Sequence, residues 1–302
     1  MLRHPAVAGQ FYKGSSEALR KQVREFIVPV PEKIQALGIL SPHAGLIYSG
    51  SVAGAVYSRI DLPDTFVLIG PNHTGLGESV SLMARGHWET PLGRVAIDES
   101  LAASILSKSS RIHEDTLAHL REHSLEVQLP FIQYFKESFQ IVPIQMLDTR
   151  LETCREVGRA VGEAIKNRGQ GSGVRGRVGE TKEQTEAKNE RSNPGPRTLS
   201  PVPQTDVLIV ASSDMSHYER AAIAKEKDFK AIQRLLDLDP EGLYRTVKDY
   251  GITMCGFGPA VAMLVACKML GATTAELVKY TNSGEVSGDY NQVVGYAGIV
   301  VM

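Results

Sequence analysis

Cysteine is scarce in this sequence: Cys154, Cys255 and Cys267 are the three in 302 residues. Their number and irregular spacing exclude a disulfide framework and a Cys-x-x-Cys zinc knuckle, and predict a reducing, cytoplasmic setting. An excess of either charge is also missing. Lys plus Arg total 33 against 34 Asp plus Glu, so the broad electrostatic footprint of a nucleic-acid or anionic-membrane binder is absent. No apolar run is long enough to span a bilayer, and Met1 to Gly14 holds no apolar stretch of the signal type, so neither an anchor nor a secretion signal is expected. Internal repeats are lacking, which excludes a solenoid or propeller.

What is present is a globular composition. Hydrophobic residues make up 42% of the chain, and its length suits one large α/β domain or two small ones. Short apolar runs read as strands at Leu37–Leu40, Thr65–Gly70, Ser79–Ala84, Gln140–Leu147, Asp206–Ala211, Glu276–Thr281 and Val293–Val301. Pro143 inside the fourth run predicts an edge strand or a bulge. Helical spacing falls between them, at Ser16–Ile27, Ser124–Phe135, Leu151–Arg168, Ala221–Asp237, Pro240–Tyr250 and Pro259–Leu270. Ser124 is the expected N-cap of the second helix, and Pro130 is expected to kink or split it. Strands alternating with helices predict a central sheet covered on both faces.

One stretch breaks the pattern. Residues 168–205 are rich in Gly, Pro, Ser, Lys, Glu and Gln and contain no aromatic residue. Such a composition buries too little surface to offset its ordering entropy, so a disordered charged Gly/Pro-rich insertion is expected there.

The chemistry-bearing residues gather where apolar runs stop. His43 follows the first strand in Ser41-Pro42-His43-Ala44-Gly45, His73 follows the second in Gly70-Pro71-Asn72-His73, and Asp214 and His217 follow Asp206–Ala211. His123 opens a helix, and Cys255 precedes Gly256-Phe257-Gly258 at another helix start. Open α/β sheets collect their ligands at the carboxyl ends of their strands, and neighbouring strands lie only about 5 Å apart. Imidazoles and a thiolate meeting there suit a transition metal or a proton-transfer site. The helix start beside Cys255 is expected to lower its pKa, and Asp214 is expected to orient His217. The remaining candidates have plainer readings. Glu122 reads as a helix-start residue facing water, and His4, His113 and His119 as solvated or locally bonded. Cys154 reads as an ordinary helix residue, Cys267 as a core residue, and His87-Trp88 as a loop walling a pocket.

In order along the chain, several motifs resemble the Memo family, also called AmmeMemoRadiSam system protein B. They are Ala6-Val7-Ala8-Gly9-Gln10-Phe11-Tyr12, Pro42-His43-Ala44-Gly45 with Tyr48-Ser49-Gly50, Gly70-Pro71-Asn72-His73, Thr90-Pro91-Leu92-Gly93, Glu122-His123-Ser124-Leu125-Glu126 with Leu129-Pro130, Ser212-Ser213-Asp214 with His217, and Cys255-Gly256. The likeness runs from near residue 3 to the C-terminus, interrupted by the insertion. It implies a single α/β domain over 1–302, a three-layer αβα sandwich with a mostly parallel, mixed sheet, like class III extradiol dioxygenases. It also implies metal ligands at His43, His73 and Cys255, a catalytic His217 with Asp214 beside it, and His123 as a further pocket residue. Fe(II) is the implied metal, with Cu or Zn as alternatives. The implied ligand is a small molecule or peptide, and the implied partners are radical-SAM and AMMECR-type proteins.

The donor set departs from the dioxygenases at one place. Ring cleavage by Fe(II) uses two histidines and a carboxylate, whereas the third ligand here is the thiol Cys255. A thiolate is softer and more oxidisable, which favours Cu(I), Zn or an electron-rich iron. Three functional readings stand on these residues: a metal-dependent redox or oxygenase-type protein, a metal-free hydrolase with Cys255 as nucleophile, and a binding module without catalysis.

Overall fold

The structure, a computed structural model, describes residues 1–172 and 205–302. The first half supplies strands β1 (Leu2–Arg3), β2 (Gly38–Ser41), β3 (Thr65–Pro71), β4 (Val80–Leu82), β5 (His87–Thr90), β6 (Gly93–Ile97), β7 (His113–Glu114) and β8 (Gln140–Met146). Its helices are α1 (Ser16–Phe26), α2 (Leu46–Arg59), α3 (Glu99–Leu106), α4 (Leu117–Leu120), α5 (Leu129–Phe135) and α6 (Leu151–Ser172). After the gap come β9 (Val207–Ser212), β10 (His217–Glu219), α7 (Ala221–Leu236), α8 (Pro240–Asp249), α9 (Phe257–Met269), β11 (Ala275–Asn282), α10 (Gly284–Ser287) and β12 (Val293–Val301).

The strands form one mixed sheet in the order β1-β5-β6-β8-β3-β9-β2-β12-β10, with β11 also on β12 and β4 on β8. From β6 to β2 every neighbouring pair is parallel. Such strands are buried on both faces and so read as unbroken apolar runs, as Phe66–Ile69 and Val207–Ala211 do. Helix α9 lies across β2, β3 and β9 and packs on α6 and α8; α2 covers β2, β12 and β11, backed by α1 and α5. The result is the expected three-layer αβα sandwich.

Several local expectations change. Pro143 lies in an interior strand, in register with Leu68 of β3. On its other side β6 pairs only Gln140 and Ile141, and β4 pairs only Ile144 to Met146. The proline therefore occupies the changeover between two neighbours, where a missing N–H costs little. His87-Trp88 is not a loop: β5 and β6 form an antiparallel hairpin, and Trp88 is fully buried. Helix α2 carries no amphipathic signal because it is buried almost all round, with Gly50 and Gly54 against Phe26 of α1. The Ser124–Phe135 helix is split, as Pro130 predicts, into a 3₁₀ turn over Glu126–Gln128 and α5. Ser124 caps neither piece; its hydroxyl donates to the Pro71 carbonyl at 2.9 Å. The first residues expected in the insertion, 168–172, continue helix α6 to Ser172; the rest of that expectation, residues 173–204, lies outside the described residues.

Candidate metal centre

Strands β2, β9 and β3 lie side by side and run the same way, with Ser41 opposite Ser212 and Ile69 opposite Ala211. Each delivers a polar residue two positions past its end: His43, Asp214 and His73 respectively. His123 enters from the turn before the 3₁₀ helix. His43, His73 and His123 each offer one ligand atom, all within 4.8 Å of one another. Their ring centroids are 5.3 Å (His43–His73), 5.6 Å (His43–His123) and 5.0 Å (His73–His123) apart.

Hydrogen bonds decide which nitrogen of each ring is available. The Ser212 hydroxyl donates to the Ser124 carbonyl at 2.6 Å, so its oxygen accepts from His43 Nδ1–H at 2.9 Å. His73 Nδ1–H donates to Glu122 Oε1 at 3.0 Å, and His123 Nδ1 lies 3.4 Å from the same oxygen. Both His43 and His73 therefore present Nε2 to the shared space, with the other nitrogen tied off. Metal-binding histidines are oriented in the same way by an oxygen behind the ring. Burial, joined by the charges of His73 and His123, holds His43 well below the usual imidazole range, which keeps it neutral and able to ligate. Burial also works to lower His73, but its hydrogen bond and ion pair with Glu122 prevail and raise it. His123, mostly buried, is lowered.

Glu122 is the residue that sequence reasoning misplaced. It is fully buried rather than facing water. Its carboxylate accepts the backbone N–H groups of His73 (2.5 Å), His123 (2.8 Å) and Ser124 (2.9 Å). Burial opposes its charge, yet the hydrogen bond and charge of the His73 ring, with the Ser124 N–H and the His123 charge, hold its pKa down at about 2. The only sequence signal was its position one residue before His123. His119 is likewise buried, not solvated, whereas His4 and His113 lie on the surface as expected.

Two expected roles change. Asp214 does not set the tautomer of His217. Its Oδ1 accepts the backbone N–H of His43 at 2.8 Å and of Ala44 at 3.3 Å, fixing the turn that carries His43. The carbonyl of Thr253 takes Nδ1–H of His217 at 2.8 Å, leaving Nε2 as the basic nitrogen. His217 still lies beside the Cys255 loop, held there by its backbone N–H on the Thr253 hydroxyl at 2.7 Å and by its ring on the Thr253 carbonyl. The next residue, Tyr218, is exposed with φ 59°, a left-handed conformation that side-chain-bearing residues seldom adopt. Cys255 is not activated by the helix that follows it: burial, and next the charge of Asp214, push its thiol up. Its Sγ lies 3.3 Å from Nε2 of His43. The base in contact with the thiol is thus His43, not His217.

The motifs on these loops belong to a recognisable group. A family model described as Memo-like protein matches residues 3–172 and 195–300. The chain belongs to the Memo-like family. A MEMO1 family protein of Aquifex aeolicus is 42% identical, with 100% of this chain and 99% of that protein covered. A MEMO1 family protein of Methanothermobacter thermautotrophicus is 39% identical, with 98% and 99% covered. A crystal structure of an uncharacterized protein from Escherichia coli K12 matches with a TM-score of 0.49 at 11% identity, covering 88% of this chain and 100% of that one.

The three histidines of this Memo-like chain form a group that could hold a metal ion. At a tetrahedral centre, metal–nitrogen and metal–sulfur bonds of about 2.0 and 2.3 Å put N and S roughly 3.5 Å apart. The contact between His43 and Cys255 is close to that spacing, although the group of atoms within 4.8 Å of one another comprises His43, His73 and His123 and not Cys255. No helix among the described residues is long and apolar enough to cross a membrane.

Proposed function

We propose that this Memo-like protein binds iron or copper through His43, His73 and Cys255 and carries out redox or oxygenase-type chemistry on a small molecule or peptide. The observation that supports the reading most is the orientation of His43 and His73, each with Nδ1 bonded to an oxygen and Nε2 turned into a common space. The bound metal would supply a Lewis-acid and electron-transfer centre. His217 would hold or move a proton at Nε2, because Thr253 occupies its other nitrogen. Asp214 would keep His43 in place through the backbone. Cys255 would give up its proton on ligation, which a metal makes favourable for a thiol whose own pKa is high. The metal-free hydrolase reading is weakened by that high thiol pKa and by the absence of contact between Cys255 and His217 among the hydrogen bonds of the described residues.

A second donor set has its own support. His123 lies within the 4.8 Å cluster with His43 and His73, so an all-nitrogen site with Cys255 at its margin is the competing arrangement. Co²⁺ titration separates the two. Wild type is expected to show a thiolate-to-cobalt charge-transfer band that disappears in Cys255→Ser, with weaker binding. An intact cobalt spectrum in Cys255→Ser, together with loss of binding in His123→Ala, would establish the all-nitrogen site. A wild-type protein that takes up neither Co²⁺, Fe²⁺ nor Cu⁺ would refute metal binding altogether.

A further inference from the structure

A second polar cluster lies behind the histidines and serves none of the roles above. Arg3 is fully buried, and among the described residues its guanidinium hydrogen bonds go to the segment that carries His123. Nε donates to the His119 carbonyl at 3.0 Å, one terminal nitrogen to the Glu122 carbonyl at 2.6 Å, and the other to Glu126 Oε2. Its plane lies over Trp88, 4.3 Å from the ring centroid. Glu126 is also fully buried. Besides Arg3, its carboxylate accepts the backbone N–H of Ala6 at 2.7 Å, that of Val7 at 3.1 Å, and the Tyr12 hydroxyl. The same N-terminal stretch reaches two of the three histidine loops. The Phe11 ring stands 4.7 Å from that of His123, and the Phe11 carbonyl accepts the N–H of Leu46 at 2.8 Å, just past the His43 turn.

A wholly buried ion pair is a weak source of stability, because desolvation offsets its attraction. It is, however, a strong constraint on geometry, since each partner left alone is penalised heavily. Here the constraint falls on the turn from His119 to Glu126, which carries both His123 and the carboxylate that orients His73. We propose that Arg3 and Glu126 are positioning residues for the histidine cluster: the segment Arg3–Tyr12 is a strap whose docking and metal binding at the cluster stabilise one another. The inference rests on the metal-binding reading and goes beyond it, because it assigns a role to residues that touch neither metal nor substrate. Coupling of this kind is reciprocal: a strap that raises metal affinity must itself be tightened by metal.

The test uses the full chain with Co²⁺ as the probe. In wild type, Co²⁺ is expected to slow amide hydrogen exchange at Ala6 and Val7, the two amides bonded to Glu126. The double variant Arg3→Met, Glu126→Gln leaves no buried charge in the cluster. It is expected to bind Co²⁺ 10–100-fold more weakly than wild type, measured well below its melting temperature, the range seen for outer-shell partners of metal ligands. A purely stabilising role would lower the melting temperature and leave that affinity unchanged. A folded double variant with wild-type affinity overturns the proposal. Should it fail to fold, the wild-type exchange experiment decides: protection of Ala6 and Val7 that Co²⁺ leaves unchanged overturns it equally. Wild type that binds Co²⁺ without either effect sinks the strap alone, whereas wild type that binds no metal sinks the site as well.

Discussion

Glu122 grips His73 at two points, accepting the backbone N–H on Oε2 at 2.5 Å and the ring Nδ1–H on Oε1 at 3.0 Å. With the N–H groups of His123 and Ser124 on the same carboxylate, one buried charge organises two of the three clustered histidines. Glu122→Gln keeps the shape but replaces an accepting oxygen by an amide that donates. The expected outcome is a 10–100-fold loss of Co²⁺ affinity in a competitive chelator titration. Chemical denaturation should show a loss of about 1–3 kcal/mol from the stranded donors. Unchanged affinity would mean that the carboxylate does not orient the rings.

Ser212 plays the corresponding part for His43. Its oxygen accepts from His43 Nδ1 and from Gln128 Nε2 at 2.8 Å, while its proton goes to Ser124. Ser212→Ala should free the imidazole to adopt either tautomer. A nitrogen-15 spectrum of the metal-free protein is expected to show His43 protonated on Nδ1 in wild type and as a tautomer mixture in the variant. A single unchanged tautomer would remove Ser212 from the account.

His119, outside the three clustered histidines, provides a pH test. Neither ring nitrogen has a hydrogen-bond partner among the described residues, and burial, with the neighbouring Arg3 charge, lowers its pKa to about 3. Between pH 6.5 and about 3 the unfolded chain binds a proton at this position and the folded chain does not. Stability therefore falls as the pH drops through that window, by up to about 1.4 kcal/mol per pH unit from this group. His119→Phe keeps a ring against Trp88 and removes the proton site. Its urea midpoint is expected to match or exceed wild type at pH 7, with the gap widening in its favour toward pH 4. A gap that stays constant with pH would contradict a buried neutral imidazole.

Close packing of α1 on α2 gives a fourth expectation. A Cβ on Gly54 would run into the Phe26 carbonyl oxygen, which is backbone and unable to swing aside. Gly54→Ala gains helix propensity of about 1 kcal/mol but should still destabilise by about 1–3 kcal/mol through overpacking. Thermal melting reads the sign directly, and a stabilised variant would show that the two helices separate easily.

The parallel centre of the sheet was legible because its strands are buried on both faces and appear as unbroken apolar runs. For the same reason His43, His73 and Asp214 could be placed at strand ends from the sequence alone. What stayed hidden was polar burial. Glu122, Glu126, Arg3 and His119 have the composition of a surface, and only long-range contacts, 119 residues apart for Arg3 and Glu122, put them inside. Helix α2 was invisible for the opposite reason: a helix buried all round has no wet face to give it a period. The partner of His217 was not legible because the Thr253 carbonyl is 36 residues away in sequence and only the fold brings it close.

Strand β9 also sets how far its own entry to the sheet stands from the histidines. It enters the sheet at Val207 and reaches the histidines only beyond Ser212, roughly 20 Å later at the rise of a strand. Arg168, at the close of α6, pairs with Asp98 beside the start of β8, at that same far end. Arg168 and Val207 thus both lie at the end of the sheet away from the cluster. A fluorophore attached at Arg168 would therefore stand about a strand's length from the clustered histidine rings.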